Sequence, residues 1–121
     1  MQNADYSWRV EPSAYYSCEM EDPFLKMKNL NKTLGFVMTS HEEKVAVHSL
    51  WSITTKFTEQ SPEWIRPSHE TIMPWLLNGS NYNFCHIWSN FMILDLAFLR
   101  SKEYQAYFRF LDYSGGFFYE R

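Results

Sequence analysis

The sequence has little of what usually marks a redox or nucleotide-binding protein. Its two cysteines, Cys18 and Cys85, are widely separated, which excludes a CxxC metal or redox motif. They are expected either to remain free thiols or, in an oxidising compartment, to pair. The chain also has only four glycines and no G-x-G-x-x-G or P-loop pattern. The common phosphate-binding loops are therefore excluded.

Concentrated charge and long apolar runs are also lacking. The net charge is −3 and the lysines and arginines are scattered, so no basic surface of the kind that binds nucleic acid is predicted. No apolar run is long enough for a transmembrane helix, and residues 1–5 do not resemble the start of a signal peptide. Two N-glycosylation sequons, Asn31-Lys32-Thr33 and Asn78-Gly79-Ser80, would suit a secretory protein, although such triplets are common by chance.

Most catalytic motifs are missing as well. There is no G-x-S-x-G elbow, and the four histidines are not spaced as helical metal ligands. Carboxylates at strand ends remain. Glu11 is the best single candidate for a ligand of a hard metal ion, although a lone carboxylate in such a place is more often structural.

What the sequence has in abundance is aromatic residues, which make up 19% of the chain. They either fill a core or stack on sugars and other ligands. The richest segment is Tyr82–Phe98, YNFCHIWSNFMILDLAF, which places four polar groups in an apolar run: His86, Trp88, Ser89 and Asn90. The first two either line a ligand pocket or fill the core, and the last two either bind a ligand or close a turn.

Alternating patterns predict an α/β layered fold. Period-two alternation predicts a strand over Tyr6–Glu11, ended by Pro12, with Arg9 and Glu11 on one polar face. A further strand is predicted over 33–39, and residues 117–121 are expected to return toward strand. The apolar run 91–98 is either a buried strand, which is favoured, or a short buried helix, since periodicity does not separate the two. Helices are predicted from Asp22-Pro23 to about residue 31, from a Ser40–Glu43 capping box to about residue 58, and from Ser101 to Ser114. His41 and Glu42 would then lie at a helix start, either facing a ligand or serving only the helix terminus.

Four blocks of the sequence resemble one protein family in order and rough spacing. They are Trp8-Arg-Val-Glu-Pro12, Gly35-Phe36 followed by His41-Glu42, Tyr82–Phe91 (YNFCHIWSNF) and Gly115–Arg121 (GGFFYER). They resemble the fungal α-1,2-mannosyltransferases of glycosyltransferase family 15. The resemblance implies an α/β domain of the GT-A (Rossmann-like) type. It also implies a Golgi type II membrane protein that transfers mannose from GDP-mannose, with retention and with Mn²⁺, to mannose-containing glycans of glycoproteins.

The resemblance also implies roles for individual residues. Glu11 would bind the metal, in the role that an acidic DxD motif has in other GT-A enzymes, and Arg9 would lie in the same site. The other residues expected to bind substrate are Glu42, His86, Trp88, Ser89, Asn90, Tyr119 and Glu120. Met92 occupies the position of a family Glu that has been proposed as the catalytic nucleophile. A thioether cannot act as a carboxylate nucleophile, so a catalytically silent relative that binds sugar or a partner is the alternative function.

The resemblance covers nearly the whole chain, but the family pattern continues beyond it. Residues 1–121 are therefore expected to be the central part of one glycosyltransferase catalytic domain, truncated at both ends, with the membrane anchor outside these residues. Whether mannose or mannosyl phosphate is transferred stays open. Strands that belong in the middle of a sheet would expose edges and apolar faces, so the chain alone is predicted to aggregate or to fold only in part.

Overall fold

The computed structural model describes residues 4–119, and for Tyr119 the backbone alone. The strands are β1 Tyr6–Val10, β2 Leu34–Phe36, β3 Thr39–His41, β4 Leu77–Asn78, β5 Asn81–Tyr82, β6 Cys85–Ile87 and β7 Phe91–Asp95. The helices are α1 Pro23–Asn29, α2 Leu50–Gln60, α3 Met73–Leu76, α4 Leu96–Leu99, α5 Lys102–Tyr113 and α6 Gly116–Tyr119, with single 3₁₀ turns at Pro62–Trp64 and Ser68–Glu70. The chain divides into two units, Met1–Thr39 with Ile87–Ser101, and Ser40–His86 with Lys102–Arg121.

The first unit is built on a three-stranded sheet in the order β1-β7-β2, with both ladders antiparallel. Its central strand β7 pairs Ile93 with Trp8 on one side and with Gly35 on the other. The next position pairs Met92 with Arg9 and with Phe36. Directly opposite residues share a face of a sheet, so Ile93 and Met92 mark its two faces.

The face of Ile93 is covered by α1. Asp22 caps this helix as predicted, because its carboxylate accepts the backbone N–H groups of Phe24 and Leu25. The helix buries Met27 (6% exposed) against the sheet at Ile93 (2% exposed). Gly35 makes this approach possible, since a Cβ atom there would lie 2.9 Å from the Met27 sulfur.

Aromatic rings extend the same covered face. Trp8 packs edge-on against Phe24 and Phe91, with ring centroids 5.6 and 5.3 Å apart, and Tyr16 contacts both Trp8 and Phe91. Aromatic surplus in this part of the chain therefore serves packing, which was one of the two interpretations open from composition. The indole N–H of Trp8 is buried and has no hydrogen-bond partner among residues 4–119.

The second unit packs α2 and α5 through Phe57, which is 4% exposed. Its ring lies 5.2 Å from that of Tyr107 and 5.3 Å from that of Phe110. The Tyr107 hydroxyl is 2.7 Å from the Thr54 hydroxyl, and burial raises the pKa of Tyr107 above its ordinary value although this hydrogen bond opposes the shift. Residues 78–81 form the tip of the β4–β5 hairpin.

Two predicted strands differ in extent: the segment 33–39 is divided between β2 and β3, and the strand predicted over 91–98 ends at Asp95, where α4 follows. Two other predicted elements are wrong. The Ser40–Glu43 capping box does not start a helix, because Ser40 and His41 lie in β3, which pairs with β6, and the helix begins only at Leu50. The predicted return to strand after Gly115 is also wrong for residues 117–119, which are helical in α6. Gly115 does end α5 in a left-handed conformation (φ 77°), but the Phe117 ring then packs on Phe108 and the chain makes another helical turn.

The buried core is small. Among residues 4–119 the buried hydrophobic side chains are Met27, Phe57 and Ile93. Beside α1 and β2 an open groove of about 490 Å³ is lined largely by apolar side chains, including Leu30 and Val37, which are 56% and 59% exposed. None of the helices in the described part of the chain is both long and apolar enough to cross a membrane.

Candidate functional site

Arg9 and Glu11 form a clasp at the end of β1. The guanidinium donates from Nε and Nη2 to the same Glu11 oxygen, Oε1, at 3.1 and 2.7 Å. The side chains are 56% and 33% exposed, so both reach solvent. The prediction that these residues share the polar face of one strand is confirmed. Among residues 4–119 the second carboxylate oxygen of Glu11 has no hydrogen-bond partner, which leaves it open to a ligand.

The antiparallel pairing of β1 with β7 brings the segment before β7 to this clasp. Arg9 Nη1 lies 3.4 Å from the Ser89 hydroxyl, and the Glu11 N–H donates to the Asn90 carbonyl at 3.2 Å. Ser89 and Asn90 form the turn that leads into β7. The interpretation that these residues close a turn is confirmed, and the turn contacts Arg9 and Glu11. Ligand binding by Ser89 and Asn90 stays a prediction. Trp88 precedes the turn, and its backbone N–H donates to the Met38 carbonyl at 3.1 Å.

Met92 lies on the same face of the sheet as Arg9, directly opposite it in the β1–β7 register. It is half-buried, and its other cross-strand neighbour is Phe36, which is 45% exposed. A carboxylate at position 92 would thus face a guanidinium on an open surface. The resemblance predicts a Glu at this position, and Met92 leaves this face of the sheet without that charge.

Two further predicted residues meet in the second unit. Glu42 follows β3 and His86 lies in β6, and their closest side-chain atoms, Oε2 and Nε2, are 3.9 Å apart. The other oxygen of Glu42 accepts the N–H of Glu43 at 3.0 Å, and the Glu42 N–H donates to the Phe84 carbonyl at 2.8 Å. His86 Nδ1 is buried without a partner among the described residues. Glu42 is held by strand pairing, and the predicted helix start is not what positions it.

Sequence reasoning missed two groups beside this pair. The Cys85 thiol lies 3.3 Å from His41 Nε2, and the Tyr82 hydroxyl donates to the Cys85 carbonyl at 2.9 Å. Burial, with smaller contributions from Cys85 and Glu42, raises the pKa of Tyr82 above its ordinary value. One indication of these contacts was present in the sequence: the family resemblance includes both His41-Glu42 and Cys85-His86, although they lie in separate blocks.

The remaining predicted features are the two cysteines and the C-terminal pair Tyr119 and Glu120. Both cysteines are free thiols, Cys18 exposed and Cys85 half-buried. Tyr119 has a described backbone only, and Glu120 lies outside the described residues, so the predicted roles of their side chains stay predictions. The structure brings Arg9, Glu11, Ser89, Asn90 and Met92 together in one unit.

The described residues fit a divalent metal through one carboxylate. Among residues 4–119 no group of three or more His, Cys, Asp and Glu side chains could hold a metal ion. Glu11 offers one free carboxylate oxygen on an accessible surface. Small hard cations that arrive with a nucleotide commonly take one or two carboxylates, and phosphate oxygens and water complete the shell. Glu11 therefore fits a metal shared with a diphosphate and does not fit a cage of protein ligands.

Comparison with known proteins places this geometry in a family. The model of the glycolipid 2-alpha-mannosyltransferase family matches residues 1–121. The chain is 49% identical over 119 residues to O-glycoside alpha-1,2-mannosyltransferase homolog 2 of Schizosaccharomyces pombe, covering 96% of this chain and 32% of the relative. It is 42% identical to glycolipid 2-alpha-mannosyltransferase 1 of Candida albicans, covering 100% of this chain and 28% of that protein.

Solved structures agree with the sequence matches. Core-mannan synthase A of Aspergillus fumigatus, solved in an Mn/GDP form, superposes with a TM-score of 0.90 at 39% identity, covering 99% of this chain and 35% of the other. The mannosyltransferase Ktr4p of S. cerevisiae in complex with GDP gives a TM-score of 0.88 at 34% identity, covering 97% of this chain and 32% of the other. The chain thus spans about a third of the length of the relatives that it matches.

These likenesses confirm the fold class predicted from the sequence, part of an α/β domain of the GT-A type. They also confirm the family resemblance, since the family model and the relatives match along the whole chain. The chain belongs to the glycolipid 2-alpha-mannosyltransferase family, glycosyltransferase family 15.

Proposed function

We propose that this chain is the central part of the catalytic domain of a GDP-mannose-dependent α-1,2-mannosyltransferase. The enzyme transfers mannose with retention to mannose-containing glycans of glycoproteins, in the Golgi lumen, as part of a type II membrane protein. The observation that carries the proposal is the clasped Glu11 beside Ser89 and Asn90, in a chain that matches the family along its whole length. The Mn/GDP form of a solved relative supports Mn²⁺ as the metal and GDP as the nucleotide.

In this proposal Glu11 holds Mn²⁺ through the carboxylate oxygen that Arg9 leaves free. Bound there with the donor, the metal would offset the negative charge that grows on the departing diphosphate. Arg9 fixes the orientation of the carboxylate by donating twice to its other oxygen. Ser89 and Asn90 anchor the clasp to the start of β7. In the other unit, Glu42 and His86 offer a hydrogen-bond acceptor and an imidazole to sugar hydroxyl groups.

Met92 favours a second candidate function, a relative that binds GDP-mannose without turning it over. The residue shares a sheet face with Arg9 and lacks the charge that a nucleophile or an electrostatic stabiliser would need. Glu11 and Arg9, which would hold the metal in this arrangement, do not depend on a charge at position 92. The two functions therefore differ in the transfer step and agree on the binding step.

The decisive experiment separates these two steps. The purified chain and its Met92→Glu, Met92→Gln and Glu11→Gln variants are incubated with GDP-mannose, Mn²⁺ and a mannose acceptor, and the product is identified by mass spectrometry. GDP binding with and without Mn²⁺ is measured on the same samples by calorimetry. Met92→Gln is the matched control, since it has the size and polarity of the Glu variant without its charge.

Each outcome bears on one function. Transfer by the unaltered chain supports the transferase and contradicts the silent relative. Mn²⁺-dependent GDP binding without transfer, together with transfer by Met92→Glu and none by Met92→Gln, supports the silent relative. Glu11→Gln is expected to weaken Mn²⁺-dependent GDP binding about tenfold or more, because it removes the carboxylate charge that Glu11 would offer to the metal. Equal binding by Glu11→Gln and the unaltered chain would contradict the metal role.

A further inference from the structure

The β4–β5 hairpin presents one of the two sequons on its tip. Leu77 pairs with Tyr82 and Asn78 with Asn81, so Gly79 and Ser80 form the turn. Gly79 adopts φ 65°, a left-handed conformation that suits glycine. All four residues of the turn, 78–81, are exposed. The triplet Asn78-Gly79-Ser80 therefore stands in solvent at a reverse turn, the kind of surface loop in which an N-linked glycan is tolerated.

The side-chain amide of Asn78 has no structural task. It makes no hydrogen bond to another residue within the described range 4–119. Asn83, five positions later, provides the contrast, since its amide donates to the Trp75 carbonyl at 2.7 Å and accepts from the Cys85 N–H at 2.8 Å. Attaching a group to Asn78 Nδ2 would break none of these contacts, whereas the same change at Asn83 would disturb the hydrogen bond from Nδ2 to the Trp75 carbonyl.

The second sequon, Asn31-Lys32-Thr33, is also exposed but differs in its surroundings. Asn31 adopts φ 48° at the end of α1, and its N–H and that of Lys32 close the helix onto Lys28 and Met27. Asn is among the few residues that tolerate this conformation, so the backbone explains its presence. Its two chain neighbours, Leu30 and Lys32, line the apolar groove beside α1, where a polar glycan would cover apolar surface.

We propose that Asn78 is an N-glycosylation site of this protein. The proposal rests on the lumenal location within the proposed function, because the transfer requires the secretory pathway. The co-reactant is a lipid-linked oligosaccharide diphosphate, and the catalyst is the host oligosaccharyltransferase. A bond forms between Asn78 Nδ2 and the anomeric carbon, the bond between that carbon and the diphosphate oxygen breaks, and one Nδ2 proton leaves as the lipid diphosphate departs.

The test measures occupancy of Asn78 by peptide mass spectrometry after an amidase converts a glycosylated Asn to Asp. The chain is expressed in a fungal host behind a cleavable secretory leader. It carries a C-terminal tag with its own Asn-Ala-Thr sequon, which reports entry into the lumen. The variants are Asn78→Gln and Ser80→Ala, which remove the sequon, and Ser80→Thr, which retains it.

In the form with the leader we expect most copies to be modified at Asn78. The glycan should be absent from Asn78→Gln and Ser80→Ala and present in Ser80→Thr, while Asn31 should be occupied to a smaller extent than Asn78. An unmodified Asn78 on molecules whose tag is modified would overturn the proposal. Because the leader supplies entry into the lumen, an unmodified Asn78 contradicts the site alone, and the transferase function is tested separately by the GDP-mannose assay.

Discussion

Met92 and Ile93 are neighbours in β7 but lie on opposite faces of the same sheet. Ile93 is 2% exposed and packs with Met27 across Gly35, under α1. Met92 is half-buried and lies between Arg9 and Phe36 on a face that also bears the Glu11 carboxylate. One face of the sheet is thus used for packing, and the other carries the groups that can meet a ligand.

This difference separates the effect of a substitution on stability from its effect on chemistry, which a single substitution usually combines. On the covered face, shape decides what is allowed, because helix and sheet meet through side chains with no space to spare. On the open face, the side chains of Arg9 and Glu11 reach solvent, and a change of charge leaves the core untouched. Met92 is therefore expected to matter for chemistry far more than for stability.

The largest expected effect tests the covered face directly. Ile93→Ala should lower the free energy of unfolding by about 3 kcal/mol, since it removes a buried side chain and leaves a cavity under α1. Met92→Ala, one position away in the same strand, should lower it by less than about 1 kcal/mol because the site is half-exposed. Urea unfolding followed by tryptophan fluorescence measures both. Similar losses of unfolding free energy in Ile93→Ala and Met92→Ala would show that the two faces of the sheet contribute equally to packing.

A smaller effect than that of Ile93→Ala is expected at Gly35. The methyl group of Gly35→Ala would lie 2.9 Å from the Met27 sulfur, so Met27 must move, at a cost of about 1–2 kcal/mol. Gly116→Ala is the matched control, since the nearest atom to its new methyl group is the Leu111 carbonyl oxygen at 3.9 Å, an ordinary contact, and Ala is the better helix former in α6. Thermal unfolding should therefore show opposite signs. Stabilisation by both variants would mean that the helix and the sheet are not in close contact at Gly35.

Trp8 tests whether a buried polar group on the covered face lowers stability. Trp8→Phe should cost less than about 1 kcal/mol, because the smaller ring loses contact with Phe24 and Phe91 but removes a buried N–H that has no partner in the described chain. Trp8→Ala, which removes all ring contacts, should cost about 3 kcal/mol. Equal costs in chemical denaturation would indicate that the indole N–H is satisfied in solution.

Local patterns in the sequence were sufficient for the elements whose causes are local. The period-two alternation of β1 placed Arg9 and Glu11 on one face, Asp22 marked the start of α1, and Gly115 marked the end of α5. The helix at Ser40 failed because the pairing of β3 with β6, more than forty positions away, outweighed a local capping pattern. No single-sequence pattern reports such a pairing.

The candidate site shows the same distinction between local and long-range causes. The position of Arg9 and Glu11 on one face follows from their spacing, and the sequence was enough to predict it, whereas the hydrogen bonds between them come from the structure. The contact of the clasp with Ser89 and Asn90 depends on the β1–β7 ladder, and only the family resemblance placed these residues in one site. The contact between His41 and Cys85 depends on the β3–β6 pairing and was missed for that reason.

The smallest expected effect on stability concerns the open face itself. A double-mutant cycle of Arg9→Met and Glu11→Gln should give a coupling energy below about 1 kcal/mol, because pairs of this exposure lose little when separated in water. The same Arg9→Met change should weaken Mn²⁺-dependent GDP binding, since Glu11 would lose the two donors that orient it. A coupling energy above about 2 kcal/mol would mean that the clasp supports the fold. A small coupling energy together with impaired nucleotide binding would establish that Arg9 and Glu11 serve ligand binding and contribute little to stability.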